Sequence, residues 1–242
     1  MMKTGPYMSP LALHDSAIPC VPDAADPWLN GAPPGRLVGR RIATHRIKRA
    51  HVLAATRRRI ASEGHRGVTL GMIAADCDTT VQTVFNLAGN KFELLKAAIW
   101  EHGSSLNVAA NDMERYPLLM LGFADAIWAS AQRNPEYIRE AALVFDSMCR
   151  SSGNLARAAG TALIETALSD IRQDVRSTFT ITSIAGMLSA TIASTMIEWA
   201  QDVLEPEQLR AELINRVALV LIGAVTPAKG AQIESWLSSG DN

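Results

Sequence analysis

Apolar residues recur at three- and four-residue spacing along most of this chain, and no convincing stretch alternates with period two, so the pattern predicts helices throughout and an all-α fold. Residues 47–63 place Val52, Ala55, Thr56 and Ile60 on one side of a helix that Gly64 ends, with Arg57 and Arg58 toward solvent and Arg59 close to the apolar stripe. Thr69 caps a second helix through its hydroxyl; Leu70, Ile73 and Ala74 share a face, and the helix ends near Cys77. Asp78 and Thr79 make a polar break. Thr80 then caps a short helix in which Val84 faces inward, and Gly89 stops it. Asn90, with Glu93 three residues on, is a capping box opening a helix that runs from Lys91 through Leu94, Leu95, Ala98 and Ile99 toward Met113. Further helices are expected over 117–133, 135–150, 155–175, 178–201 and 206–225, the third of them carrying Leu163, Ala167 and Ile171.

Residues 69–95 thus read as helix, tight turn, helix and the start of a third, the arrangement that sets a short helix into the major groove of DNA. With Val84 inward, Val81, Gln82, Thr83, Phe85 and Asn86 surround the rest of that cylinder, a mixture able to touch base edges and phosphates. The candidate DNA-binding set is Arg46, Thr69, Thr80, Val81, Gln82, Thr83, Phe85, Asn86, Asn90 and Lys91, with Lys91 the obvious phosphate ligand near the reading helix.

The succession of a helix, a break, T-V-Q-T-V-F, a short linker and G-N-K-F-E-L-L is similar to the helix-turn-helix of TetR-family transcriptional regulators, over residues 46–101. Upstream, A-A-T-R-R-R-I-A-S-E-G resembles that family's first helix. The chain departs from the pattern at the turn, where Cys77, Asp78 and Thr79 replace a small residue, glycine and valine. It departs again after the reading helix, where Phe85, Asn86, Leu87 and Ala88 stand in place of tyrosine, a variable residue, an aromatic or histidine, and phenylalanine. The resemblance implies an N-terminal three-helix DNA-binding domain followed by a helical domain that binds an effector and forms a dimer. It also implies an unknown small apolar effector in the body, where Trp100, Met120, Phe123, Trp128, Phe145, Met148, Met187 and Trp199 are large enough to line a cavity but read equally as core.

Charge sharpens this picture. The chain's net charge is only -1, yet residues 36–66 hold ten Arg and Lys against Glu63 alone, a net of +9, beside the reading helix. Residues 1–35, with seven prolines, read as an irregular extension whose basic end at 36–49 could reach along DNA as an arm. The expected division is therefore an extension at 1–35, a DNA-binding domain with a basic arm at 36–92, and an effector and dimerisation domain at 93–242. Three distant cysteines suit a reducing cytoplasm, and the five histidines lack spacing for a metal. No apolar run approaches a membrane span and no export signal is seen, so a cytoplasmic protein with no membrane partner is expected.

Two broad stripes, Ile184, Met187, Leu188, Thr191, Ile192 and Thr195, then Leu209, Leu213, Val217, Val220 and Leu221, leave apolar surface for the same helices of a second subunit. Gly186, Ala190 and Ser194 would let that partner come close. A homodimer through 178–201 and 206–225 would read a near-palindromic operator in double-stranded DNA. No catalytic motif is present and no cofactor is expected. The sequence therefore predicts a TetR-like repressor, not an enzyme, released from DNA by a small molecule; the alternative is an all-α dimeric binding protein whose helix-turn-helix has lost operator recognition.

Overall fold

A long first helix sets the frame. In the computed structural model, which describes residues 36–111, 116–151 and 154–239, α1 spans Arg36–Gly67. It is followed by α2 (Leu70–Asp76), α3 (Val81–Ala88), α4 (Lys91–Asn111), α5 (Leu119–Arg133), α6 (Pro135–Ser151) and α7 (Asn154–Ala167). A single 3-10 turn at Ser169–Ile171 leads to α8 (Ile181–Ala200), α9 (Leu209–Ala224) and α10 (Pro227–Ser238). Among the described residues the fold is all-α; the irregular reading of residues 1–35 lies outside them.

Val52, Ala55, Thr56 and Ile60 are buried as the spacing predicts, and Leu53 joins them. Thr56 removes its hydroxyl from the apolar face by donating to the Val52 carbonyl at 2.8 Å. The start of α1 corrects the sequence reading, since residues 36–46 are helical and not the end of an extended arm. Apolar periodicity does not find this stretch, since none of residues 42–51 is buried. At the other end Gly64 turns the chain with φ 66° and ψ 158°, as a helix-ending glycine should. The Glu140 carboxylate of α6 fills the space beside it, 3.3 Å from where a Cβ would stand, and accepts from both the His65 amide at 2.8 Å and the His65 ring at 2.6 Å. Burial pushes the Glu140 carboxyl up, but those bonds and the charges of His65 and Arg66 outweigh it and hold the group below its ordinary range.

Several bounds move for non-local reasons. The helix expected to open at Pro117 begins at Leu119, whose amide is capped by Asp170 at 2.9 Å, a partner 51 residues away. The helix expected to reach Val175 stops at Ala167; Ile171 still packs inward from the 3-10 turn, and Val175 instead pairs with Val225 in an isolated bridge. That crossing is held by the Arg176 amide on Ala224 and the Arg176 guanidinium on Val225. Beyond it α10 was not foreseen. Pro227 opens it at a position where its missing N–H costs nothing, Ile233 is buried, and Trp236 meets the Tyr116 ring edge-on at 5.4 Å.

In the body, α8 packs against α6, α7 and α9, and α5 against α4 and α9. Buried Asp125 on α5 is matched by Arg210 of α9 at 2.7 Å, whose guanidinium lies over Trp128. By length and composition alone α8 could cross a membrane, which the run-length reading did not anticipate. The stripes assigned to subunit pairing are corrected. Ile184, Leu188, Thr195, Leu209, Leu213, Val217 and Leu221 are all buried within the chain, because α8 and α9 pack on α5 and α6 through them; of the first stripe only Met187 is openly exposed. Leu213→Ala should therefore cost about 2–5 kcal/mol of stability in a denaturant titration, as removal of a buried side chain does, irrespective of subunit association.

Where α4, α5 and α6 meet, the His102 ring bonds Ser130 at 2.8 Å and stands edge-on to Tyr137 at 5.2 Å. Burial, with Arg57 and Arg133 nearby, pulls the imidazole down to about 4, while burial pushes the Tyr137 phenol up. Between that value and the ordinary histidine pKa of about 6.5 the unfolded chain binds the proton that the folded chain refuses, so stability falls as pH drops through this window. The loss should be on the order of 3 kcal/mol, and comparison of pH-dependent unfolding of the protein with that of His102→Gln should show the slope flattened in the variant.

Candidate nucleic-acid interface

Each helix of the unit begins on the side chain that the sequence nominated. Thr69 accepts from the Met72 amide at 3.2 Å and starts α2. Thr80 accepts from the Thr83 amide at 3.1 Å, meets the Thr83 hydroxyl at 2.9 Å, and starts α3. Asn90 accepts from the Glu93 amide at 3.0 Å and starts α4, while the Glu93 carboxylate pairs with Lys96. These three residues lie at helix entries, where they orient backbone and reading helix.

The turn between α2 and α3 keeps its geometry without a glycine. Asp78 takes φ 47°, a left-handed position that Asp tolerates better than most residues, and the Thr79 amide closes on the Ala74 carbonyl at 2.9 Å. The Cys77 thiol, pushed up by burial, sits 3.9 Å from the His51 carbonyl of α1. At the end of α3, Leu87 and Ala88 still pack on the core, and Gly89 leaves it with φ 80°. The shared core beneath is Val52, Ile60, Ile73, Val84 and Leu94.

Val84 is the buried member of α3, as its position predicts. Val81 and Phe85 are each 49% exposed; Gln82 and Asn86 are exposed and joined by a 2.9 Å bond from Gln82 Nε2 to Asn86 Oδ1; Thr83 is half-buried under its cap. Arg46 is exposed farther up α1. Lys91 lies half-buried with its ammonium on the Arg66 carbonyl at 2.7 Å, so the residue read as a phosphate ligand also ties α4 to the end of α1.

The basic surface is smaller than the count of charges. Arg57, expected in solvent, is half-buried and bonds Glu101 of α4 at 2.5 Å. Arg59, expected to snorkel, grips Asp76 at the end of α2 with two bonds of 2.7 Å and also reaches Glu63 at 3.3 Å. Its guanidinium holds the Asp76 carboxyl below the usual carboxylate range. Arg58 and Lys48 are exposed, and Arg58 and Arg59 line a shallow groove with Ser62 and Asp76. Sequence spacing could not find the Arg57–Glu101 and Arg59–Asp76 pairs, since the partners are 44 and 17 residues apart. Among the described residues no group of His, Cys, Asp and Glu is arranged to hold a metal.

No protein-family model matches this sequence, and no curated protein does. Solved structures do match. FadR of Thermus thermophilus, described as a TetR-family transcriptional repressor in complex with lauroyl-CoA, superposes with a TM-score of 0.57 at 18% identity over 74% of this chain and 95% of that one. A TetR-family regulator from Rhodococcus sp. gives 0.54 at 16% identity over 72% and 97% of the two chains. SmeT, the repressor of a multidrug efflux pump of Stenotrophomonas maltophilia, solved with triclosan, gives 0.50 at 19% identity over 76% and 94%. The likeness is one of fold, and in fold the chain matches the TetR-family transcriptional regulators.

Proposed function

We propose that this chain is a TetR-family transcriptional regulator that binds double-stranded DNA as a homodimer. The observation that carries the reading is the capped α2–turn–α3 unit, with a neutral, solvent-facing α3 beside exposed cations of α1. Residues 36–92 then form the DNA-binding domain and 93–242 the effector and dimerisation domain. Val81, Gln82, Thr83, Phe85 and Asn86 face the bases; Arg46 and Lys91 face phosphates, Lys91 with the two hydrogens its bond to Arg66 leaves. Thr69, Thr80 and Asn90 hold the helices at the groove. The role is repression, relieved by a small apolar molecule; that FadR is in complex with lauroyl-CoA and SmeT with triclosan supports a ligand-responsive regulator. Such a DNA-binding role belongs to a cytoplasmic, non-enzymatic protein.

Subunit pairing uses the outward faces of α8 and α9, not the buried stripes. Gly186, Ala190 and Ser194 follow one another at four-residue spacing, a Cβ at Gly186 or Gly223 would meet nothing within 4 Å, and Met187 and Leu219 are 52% and 72% exposed. Leu219→Asp should leave unfolding stability per chain nearly unchanged yet give a monomer in sedimentation, with loss of operator binding; a dimeric Leu219→Asp variant would place the interface elsewhere.

Titration of DNA fragments from the source genome at two salt concentrations tests the whole reading. Selected fragments should bind far more tightly than random duplex, and Lys91→Ala should lower affinity for both while reducing the salt slope by about one. Equal affinity for all fragments would contradict operator recognition.

A further inference from the structure

The face that α3 offers to solvent has no charge and carries an apolar ridge. None of its residues, VQTVFNLA, is ionisable, and the single charged residue of α2, Asp76, is held by Arg59. Val84 already supplies the contact that anchors α3 to the core, so Val81 and Phe85, one turn apart and each 49% exposed, are not needed for packing within the chain. Beside this ridge the bond between Gln82 and Asn86 fixes which amide atoms remain outward: Gln82 Oε1 is left to accept and Asn86 Nδ2 to donate.

We propose that α3 reads A·T pairs, with Val81 and Phe85 against the 5-methyl groups of thymine and the Gln82–Asn86 pair on the N6 amino group and N7 of adenine. The inference rests on the reading of α2 and α3 as a DNA-binding unit and goes beyond it by naming the bases. In the major groove guanine offers two acceptors, N7 and O6, and is read most often by Arg or Lys; α3 has neither. Thymine alone offers a methyl, which Phe and other apolar groups contact, and adenine offers the donor and acceptor side by side that complement Gln82 Oε1 and Asn86 Nδ2. Attraction to the duplex comes from the flanking basic helix, where Arg46, Lys48 and Arg58 are exposed, which leaves α3 to discriminate by shape and methyl contact. An exposed, uncharged apolar ridge suits a groove wall rich in methyls.

The experiment removes the methyl from the DNA, so that it does not depend on a variant folding. The full chain selects duplexes from a random-sequence library, and the enriched site is rebuilt with deoxyuridine in place of thymidine, one position at a time. Enriched half-sites should be dominated by A·T pairs, and each contacted methyl should be worth about fourfold in affinity when lost, the share of one methyl-sized group taken out of water. Val81→Ala and Phe85→Ala should each bind one of the thymidine and deoxyuridine pairs alike while keeping the salt slope of the unaltered chain. An enriched site whose key positions are guanine, or one bound equally well with deoxyuridine throughout, overturns this assignment and leaves DNA binding standing. Failure to enrich any sequence overturns both.

Discussion

The orientation of the reading helix depends on one packed seam, the buried face of α1. Val52, Leu53, Ala55, Thr56 and Ile60 present a single stripe, and α2, α3, α4 and α6 all pack on this helix. At the far end the same helix is fixed by Glu140 of α6, which fills the space a side chain at Gly64 would need and takes both the amide and the ring of His65. Arg57 to Glu101 and Lys91 to the Arg66 carbonyl add two ties to α4. α4 and α6 therefore both pack on the helix that carries α3.

The same ties change how the charge of the N-terminal part should be understood. Ten basic residues in 36–66 look like a uniform polyanion footprint, but two of the three consecutive arginines are engaged within the fold. Arg59 pins the end of α2 and Arg57 pins α4, so part of the positive charge positions α2 and α4 within the fold. Exposed pairs of this kind contribute modestly to stability, whereas the bidentate Arg59–Asp76 contact sets geometry.

Features encoded within a few residues were legible from sequence. Thr69, Thr80 and Asn90 cap what their spacing says they cap, Val84 faces inward, and Gly64 and Gly89 end helices, since each acts on backbone groups within a turn. What escaped depends on distant partners: the Asp170 cap on α5, the Val175–Val225 bridge, and the Lys91 bond to Arg66. The stripes of α8 and α9 were correctly located but assigned to the wrong neighbour, because periodicity reports that a face is buried without saying which helix covers it. Residues 42–51 show the converse, a stretch of helix with no buried residue and hence no periodic signal. The base-facing assignments rest on exposure and chemistry that sequence alone could only outline.

The central claim is that two copies of α3, held by one dimer, enter successive major grooves on one face of DNA. Hydroxyl-radical footprinting of the full chain on a selected fragment tests it directly. Two protected patches related by a two-fold axis and centred about 34 Å apart are predicted. A single patch, or protection that spreads without register along the fragment, would contradict it.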